Sequence, residues 1–292
     1  MTYYEANQPL IALIVVLPIL VAIFLNLFHR RSVFTKWLSV ATAALLIVIT
    51  LACGYGYHWF TGHPIFAGFR LALEYLFGPY HKLAVFIMSL ILLFVVLAAN
   101  LDVRRISGVH LAMLMLCFSA TAMAVMVNDL YHLWIAVEVA SLIVAGIVAV
   151  SGEPGSHRAA LKYTFLAGLA GAGLAVSLAI LLGITGASNI TDAINVLKTM
   201  NIADFSITMY VAYAFFVFAW VYVGGMVPIH PIKADVYRYS LPHAAVLLQT
   251  QAKLMLVAVG LIILRLFGFL PYAREAMLVL SIITAVTGVV LA

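Results

Sequence analysis

Long apolar runs separated by short polar breaks recur along the whole chain. Runs near 9–28, 37–57, 83–101, 107–128, 131–151, 159–185, 205–227, 241–267 and 276–292 each supply about the 20 apolar residues that one helical bilayer crossing needs. The pattern predicts an all-α polytopic bundle of about nine transmembrane helices. Pro9–Phe28 is read as a retained helix, because MTYYEANQ lacks the positive region of a signal peptide and no small-residue cleavage site follows. The outer connection Gly186–Asp204 is expected to hold a short amphipathic surface helix. Its Asn189-Ile190-Thr191 sequon is too short a motif to carry weight. The final run, 276–292, stops inside an apolar stretch and is read as an incomplete further helix.

The seventh run ends in Gly224-Gly225-Met226-Val227-Pro228-Ile229-His230-Pro231. Two glycines loosen the backbone there and two prolines remove hydrogen-bond donors, so a broken helix is expected, with Gly224, Gly225 and Pro228 as the break residues. Such breaks persist at membrane depth only inside protein or beside a wet cavity, and they recur at transporter ion sites. The alternative is a turn that simply stops the helix.

Composition agrees with lipid as the solvent: 66% of the 292 residues are apolar and only 9% charged, with mean hydropathy +1.18. A soluble globule would lack polar surface at these proportions. The net charge of +5 does not point to nucleic acid, since the basic residues sit in short clusters between apolar runs. Arg30, Arg31, Lys36, Arg104, Arg105, Arg158, Lys233 and Arg238 fall in the breaks after helices one, three, five and seven. Arg70, Lys82, Lys198, Arg265 and Arg274 form a weaker set on the other side. The positive-inside bias then puts the first set in the cytoplasm and the N-terminus outside. Cys53 and Cys117 lie in apolar runs without metal-ligand spacing, so no disulfide framework, iron–sulfur cluster or other cofactor is expected in this chain. Any redox centre belongs to a partner.

Against that background three ionisable residues stand out, because a charge at mid-membrane costs about 2.5–3.5 kcal/mol on insertion scales. Glu138 lies two turns into the fifth helix, Lys162 opens the sixth, and Lys253 sits midway along the eighth with Gln249 on the same face. A carboxylate in an apolar helix suits a proton relay, since a lysine moved toward or away from it switches its proton affinity. Its alternative is a carboxyl kept neutral by burial or bonded to a neighbouring helix. Lys162 is near enough to its helix end to snorkel. Among the histidines, His110, His132 and His243 read as satisfied polar residues near helix ends, whereas His230 beside the break is a relay candidate. Pro231 and Pro242 prevent one helix from presenting both His230 and His243 to a haem.

The ordered set DLYHLWIAVEVASL, ALKYTFLAGLAGAGL, GGMVPIHPIKAD and QTQAKL resembles the antiporter-like membrane subunits shared by respiratory complex I, membrane-bound hydrogenases and multisubunit cation/proton (Mrp-type) antiporters. The resemblance covers roughly residues 105–265. It implies leading helices over 1–104, the first of two inverted five-helix repeats over 105–267, and the start of a further helix over 268–292. It implies roles for Glu138, Lys162 and Lys253 in a charged axis across the bilayer middle, and for Pro228 and His230 after the broken helix. One departure stands out. Where the family carries the lysine that pairs with the glutamate, five residues before Pro228, this chain has Val223. The stretch that follows is likewise reduced to IKAD, with Lys233 and Asp235.

Three functions follow as expectations. The first is a proton-translocating membrane subunit of a redox-driven respiratory or hydrogenase-type complex, catalysing no chemistry itself. It would sit in the inner membrane of a prokaryote among lipid, further antiporter-like subunits and an iron–sulfur arm. The second is a subunit of a sodium/proton antiporter, and the third a degenerate scaffold subunit that conducts nothing.

Overall fold

The computed structural model describes residues 5–6, 9–29, 32–61, 72–101, 107–200 and 206–291. Among these residues nine helices are long and apolar enough to cross a membrane. They are α1 (Pro9–Leu27), α2 (Ser32–Ala52), α3 (Pro79–Leu101), α4 (Gly108–Met126), α5 (Leu130–Ala149), α6 (Ser156–Thr185), α8 (Ser206–Gly224), α10 (Pro242–Phe267) and α11 (Ala273–Leu291). Two short helices, α7 (Ile190–Thr199) and α9 (His230–Arg238), complete the bundle. Arg30, Arg31, Arg70, Arg104 and Arg105, which carry much of the orientation argument, lie outside the described residues.

The helix starts differ from the hydropathy pattern where lysines are neutralised locally. Helices α2 and α3 begin several residues before the apolar runs do, and so take in Lys36 and Lys82. Lys82 Nζ donates to the carbonyls of Leu51 at 2.9 Å and Cys53 at 2.8 Å. Lys36 Nζ donates to the carbonyl of Asn100 at 3.1 Å. Each ammonium thus caps the C-terminal end of the antiparallel neighbour, where carbonyls are unpaired and the helix dipole is negative.

A small sheet was not foreseen. β1 (Glu5–Ala6) pairs parallel with β2 (Gly56–Thr61), which pairs antiparallel with β3 (Ala72–Phe77) from Gly56↔Phe77 to Thr61↔Ala72. The second apolar run was expected to continue to 57, but the helix stops at Ala52 because the aromatic-rich stretch beyond Cys53 goes into this strand. The expected amphipathic helix is α7. Asn189 caps it through Thr191 N and Asp192 N, and Ile190, Ala193, Ile194 and Leu197 form its buried face.

Small residues bring the helices of the bundle close together, as is usual where lipid removes the hydrophobic drive for association. Helix α6 carries Gly171 toward α5 and Gly173 against the Phe215 ring of α8. Hydroxyls and indoles bond across the seams: Ser177 Oγ to Ala212 O at 2.7 Å, Ser119 Oγ to Val15 O at 2.7 Å and Trp220 Nε1 to Leu256 O at 2.8 Å. Helix α4 is the most enclosed span and α11 the least.

Candidate functional site

Glu138 sits on α5 about 12 Å along the axis from Leu130, using a 1.5 Å rise per residue, which places it near mid-span. Its carboxylate enters a notch in α6 that exists because residue 171 is glycine; a Cβ there would coincide with the carboxylate oxygen. Trp134, one turn earlier, donates from Nε1 to the Gly171 carbonyl at 3.0 Å and closes the notch. Among the described residues no cation lies within ion-pair distance of Glu138.

The predicted break separates α8 from α9. Gly225 takes a left-handed φ of +66°, which glycine adopts at low cost. The turn is held by Gly225 N to Tyr222 O (3.1 Å), Met226 N to Val221 O (2.9 Å) and Ile229 N to Met226 O (2.7 Å). Thr284 of α11 accepts from Val227 N at 3.2 Å, so a freed donor is satisfied by protein, as membrane depth requires.

Beyond the break the chain folds back, and Lys233, counted above with the loop charges, is instead buried at 7% exposure. Its stem packs where a side chain at Gly225 would be. Its Nζ donates to the Tyr163 hydroxyl at 3.1 Å and lies 4.9 Å and 5.8 Å from the ring centroids of Tyr163 and Tyr222. The two rings pack together at 5.3 Å. Burying an ammonium costs several kcal/mol. A desolvated cation–π contact of about 2 kcal/mol and a charge-assisted hydrogen bond of about 1.5–3 kcal/mol offset much of it.

Tyr222 packs beside this cation. Glu138, Ser141 and Tyr163 all lie within its electrostatic reach, and among the described residues its buried hydroxyl has no hydrogen-bond partner. His230 Nδ1, beside the break, is also buried without a partner among the described residues. Buried polar atoms of this kind are the sites that ordered water satisfies.

Two predicted residues lie elsewhere. Lys162 is 48% exposed and pairs with Asp235 at 3.2 Å rather than with Glu138. Lys253 and Gln249 point outward from α10 on one face with Val246 and Val257. The inward polar residues of α10 are Gln251, which accepts from Cys117 Sγ at 3.4 Å, and His243, whose Nε2 lies 3.0 Å from that of His110. Sequence reasoning missed Lys233, Tyr163, Tyr222 and Gly171. The available signals were a lysine just past a glycine-proline break and a glycine in register with the α5 carboxylate.

The family described as NADH:quinone oxidoreductase/Mrp antiporter, transmembrane, matches residues 127–292, more than half of the chain. The chain belongs to this family. An uncharacterized protein of Methanocaldococcus jannaschii is 30% identical over 283 residues, which cover 96% of this chain and 58% of the relative. NADH-quinone oxidoreductase subunit N of Desulfovibrio desulfuricans is 26% identical over 277 residues, 90% of this chain and 52% of that protein. The chain therefore spans about half the length of these relatives. Among solved structures, the membrane-bound sulfane sulfur reductase, an archaeal respiratory membrane complex, matches with TM-score 0.66 and 16% identity over 85% of this chain and 52% of that chain. Respiratory complex I from Thermus thermophilus matches with TM-score 0.66 and 18% identity over 87% and 52%. At these identities the two structures share the family fold with this chain. All of Glu138, Tyr163, Tyr222, Lys233 and Lys253 fall inside the family match.

Proposed function

We propose that this chain carries a proton translocation half-channel in a redox-driven membrane complex of the respiratory or hydrogenase type. The observation that carries the reading is Glu138, a protonatable carboxylate without a cation partner among the described residues, held in the Gly171 notch within reach of Tyr222. A carboxylate so placed can take up and release a proton as its surroundings change. His230 is the second relay group, at the orphaned nitrogen beside the break. Lys162 stands at a water-facing end in its pair with Asp235. Lys253 meets a neighbouring subunit, since its exposed mid-span position is costly against lipid. The complex sits in the inner membrane of a prokaryote with the N-terminus outside. It includes further antiporter-like subunits and an iron–sulfur arm. The five-helix repeat runs over 105–267, preceded by leading helices 1–104 and followed by the start of a further helix over 268–292.

Family membership favours an antiporter subunit as the second reading. Gentle native purification through a tag on this chain, with an iron and acid-labile sulfide assay, separates the two. Co-purifying iron–sulfur subunits are expected. Recovery of membrane subunits alone, with sodium-dependent pH change in vesicles lacking any electron donor, would replace this reading with the antiporter.

A further inference from the structure

We propose that a recess between α3 and α10 binds an anionic phospholipid, with one hydrocarbon chain inside it and the phosphate held by Arg265 and His81. The proposal stands apart from the half-channel reading and uses none of its residues.

The recess follows from the sequence of α10. Leu254, Val257, Ala258, Leu261 and Ile262 line one side of it and recur at the spacing of a single helix stripe, which Arg265 continues. Ala84 of α3, Val125 of α4 and Ile190 of α7 line it from the neighbouring elements. Ala84 and Ala258 are the short side chains that leave the space open. The cavity holds about 360 Å³, within the range of roughly 300–1,000 Å³ usual for ligand sites.

Its dimensions select the occupant. From Leu254 to Arg265 the stripe runs about 16 Å along α10 at 1.5 Å per residue. That is close to the depth of one hydrocarbon leaflet, about 15 Å. A partner's helix, 10–12 Å across, would need roughly 1,300 Å³ or more over that length. The recess is far too narrow for it, whereas a single lipid chain fits.

Polar groups gather at one end only. Arg265 lies in the last turn of α10, and the exposed Tyr80 lies in the first turn of α3. Both stand where headgroups begin, the level at which aromatic side chains line a bilayer. Among the described residues Arg265 forms no ion pair, and its charge reaches His81. His81 Nδ1 accepts from Gly78 N at 3.0 Å, so in the neutral ring the hydrogen sits on Nε2, which is left to donate. Asn128, also at the wall, is already bonded to Asn189 and Thr191. A guanidinium fork matches phosphate oxygens in geometry and charge. A phosphodiester carries its charge at the head of its own chains, and this slot pairs a cation with a leaflet's depth of apolar wall.

The test places the complex purified through this chain in nanodiscs doped with phosphatidylglycerol that carries a photoreactive diazirine at mid-chain, and maps the crosslinked peptides by mass. Crosslinks are expected on the 254–265 stripe and around Ala84. Arg265→Gln is expected to lower their yield about tenfold, the loss of one charge-assisted contact, and Arg265→Lys to keep more of it. Ala258→Phe, which fills the recess, should remove them. Co-purification of the same subunits in the same ratio shows that each variant is assembled. Equal labelling by the zwitterionic phosphatidylcholine probe, or a yield unchanged by Arg265→Gln, overturns the anionic lipid. No labelling of the stripe in the unmodified complex overturns the proposal altogether, as it would if another subunit covered the recess.

Discussion

Glu138 and Gly171 meet across the α5–α6 seam so closely that the carboxylate occupies the space a side chain at 171 would need. The glycine thereby makes a pocket for a polar group where two helices would otherwise close. The atoms that a new methyl would meet are the free end of a rotatable side chain, so the carboxylate swings out rather than the helices parting. Gly171→Ala is expected to cost less stability than the roughly 1–3 kcal/mol usual for overpacking, while proton movement drops nearly as far as in Glu138→Gln. Thermal unfolding and proton uptake measured on one preparation check both halves of this expectation.

Two other glycines make a matched pair. Gly225 has φ of +66° and the Lys233 stem packed against it, whereas Gly168 lies within α6 with open space around it. Gly225→Ala should destabilise by about 1–3 kcal/mol through backbone strain and displacement of the lysine. Gly168→Ala should stabilise by about 0.5–1 kcal/mol through helix propensity. Thermal midpoints moving in the same direction would remove the special role given to the break.

Lys253 separates stability from function. If its outward face is covered only by lipid when the chain is isolated, Lys253→Leu removes a penalty of about 2.5–3.5 kcal/mol. The variant should therefore raise the thermal midpoint of the isolated chain while lowering proton movement in the assembled complex. Equal effects in both settings would mean that no partner group meets the lysine.

At the sheet end, Glu74 lies outside the membrane-spanning helices. Burial, its largest influence, pushes the carboxyl above the ordinary value of 4.5. Hydrogen bonds from Asn128 and Asn189 pull it down, and Asp192 and Asp129 push it further up. The folded chain thus holds this proton more tightly than the unfolded one. Its contribution to stability is fully present below pH 4.5 and is lost as pH rises through the raised folded value. Thermal midpoints measured against pH should show that decline, and Glu74→Gln should flatten it.

The spans and the break were legible because both depend on composition along the chain: apolar run length for one, Gly224, Gly225 and Pro228 for the other. The direction in which each lysine points was not. Lys162, Lys233 and Lys253 have a readable depth, but the side of a helix that faces protein depends on neighbours distant in sequence. Lys233 therefore reads as a loop charge although it is buried, and Lys253, expected in a charged axis across the bilayer middle, faces outward. The β2–β3 pair escaped notice because tyrosine, tryptophan and phenylalanine count as apolar in a hydropathy pattern while also favouring strands. Gly171 was hidden among the small residues of α6, since only the α5–α6 register picks it out from Gly168 and Gly173.

In the half-channel proposed above, Glu138 gains and loses a proton during turnover. The most direct test is coupled proton movement in sealed vesicles holding the assembled complex with Glu138→Gln. A fall on the order of 100-fold in proton movement is expected, with electron transfer continuing. Proton movement at the unmodified rate, in a complex that assembles normally, would contradict it.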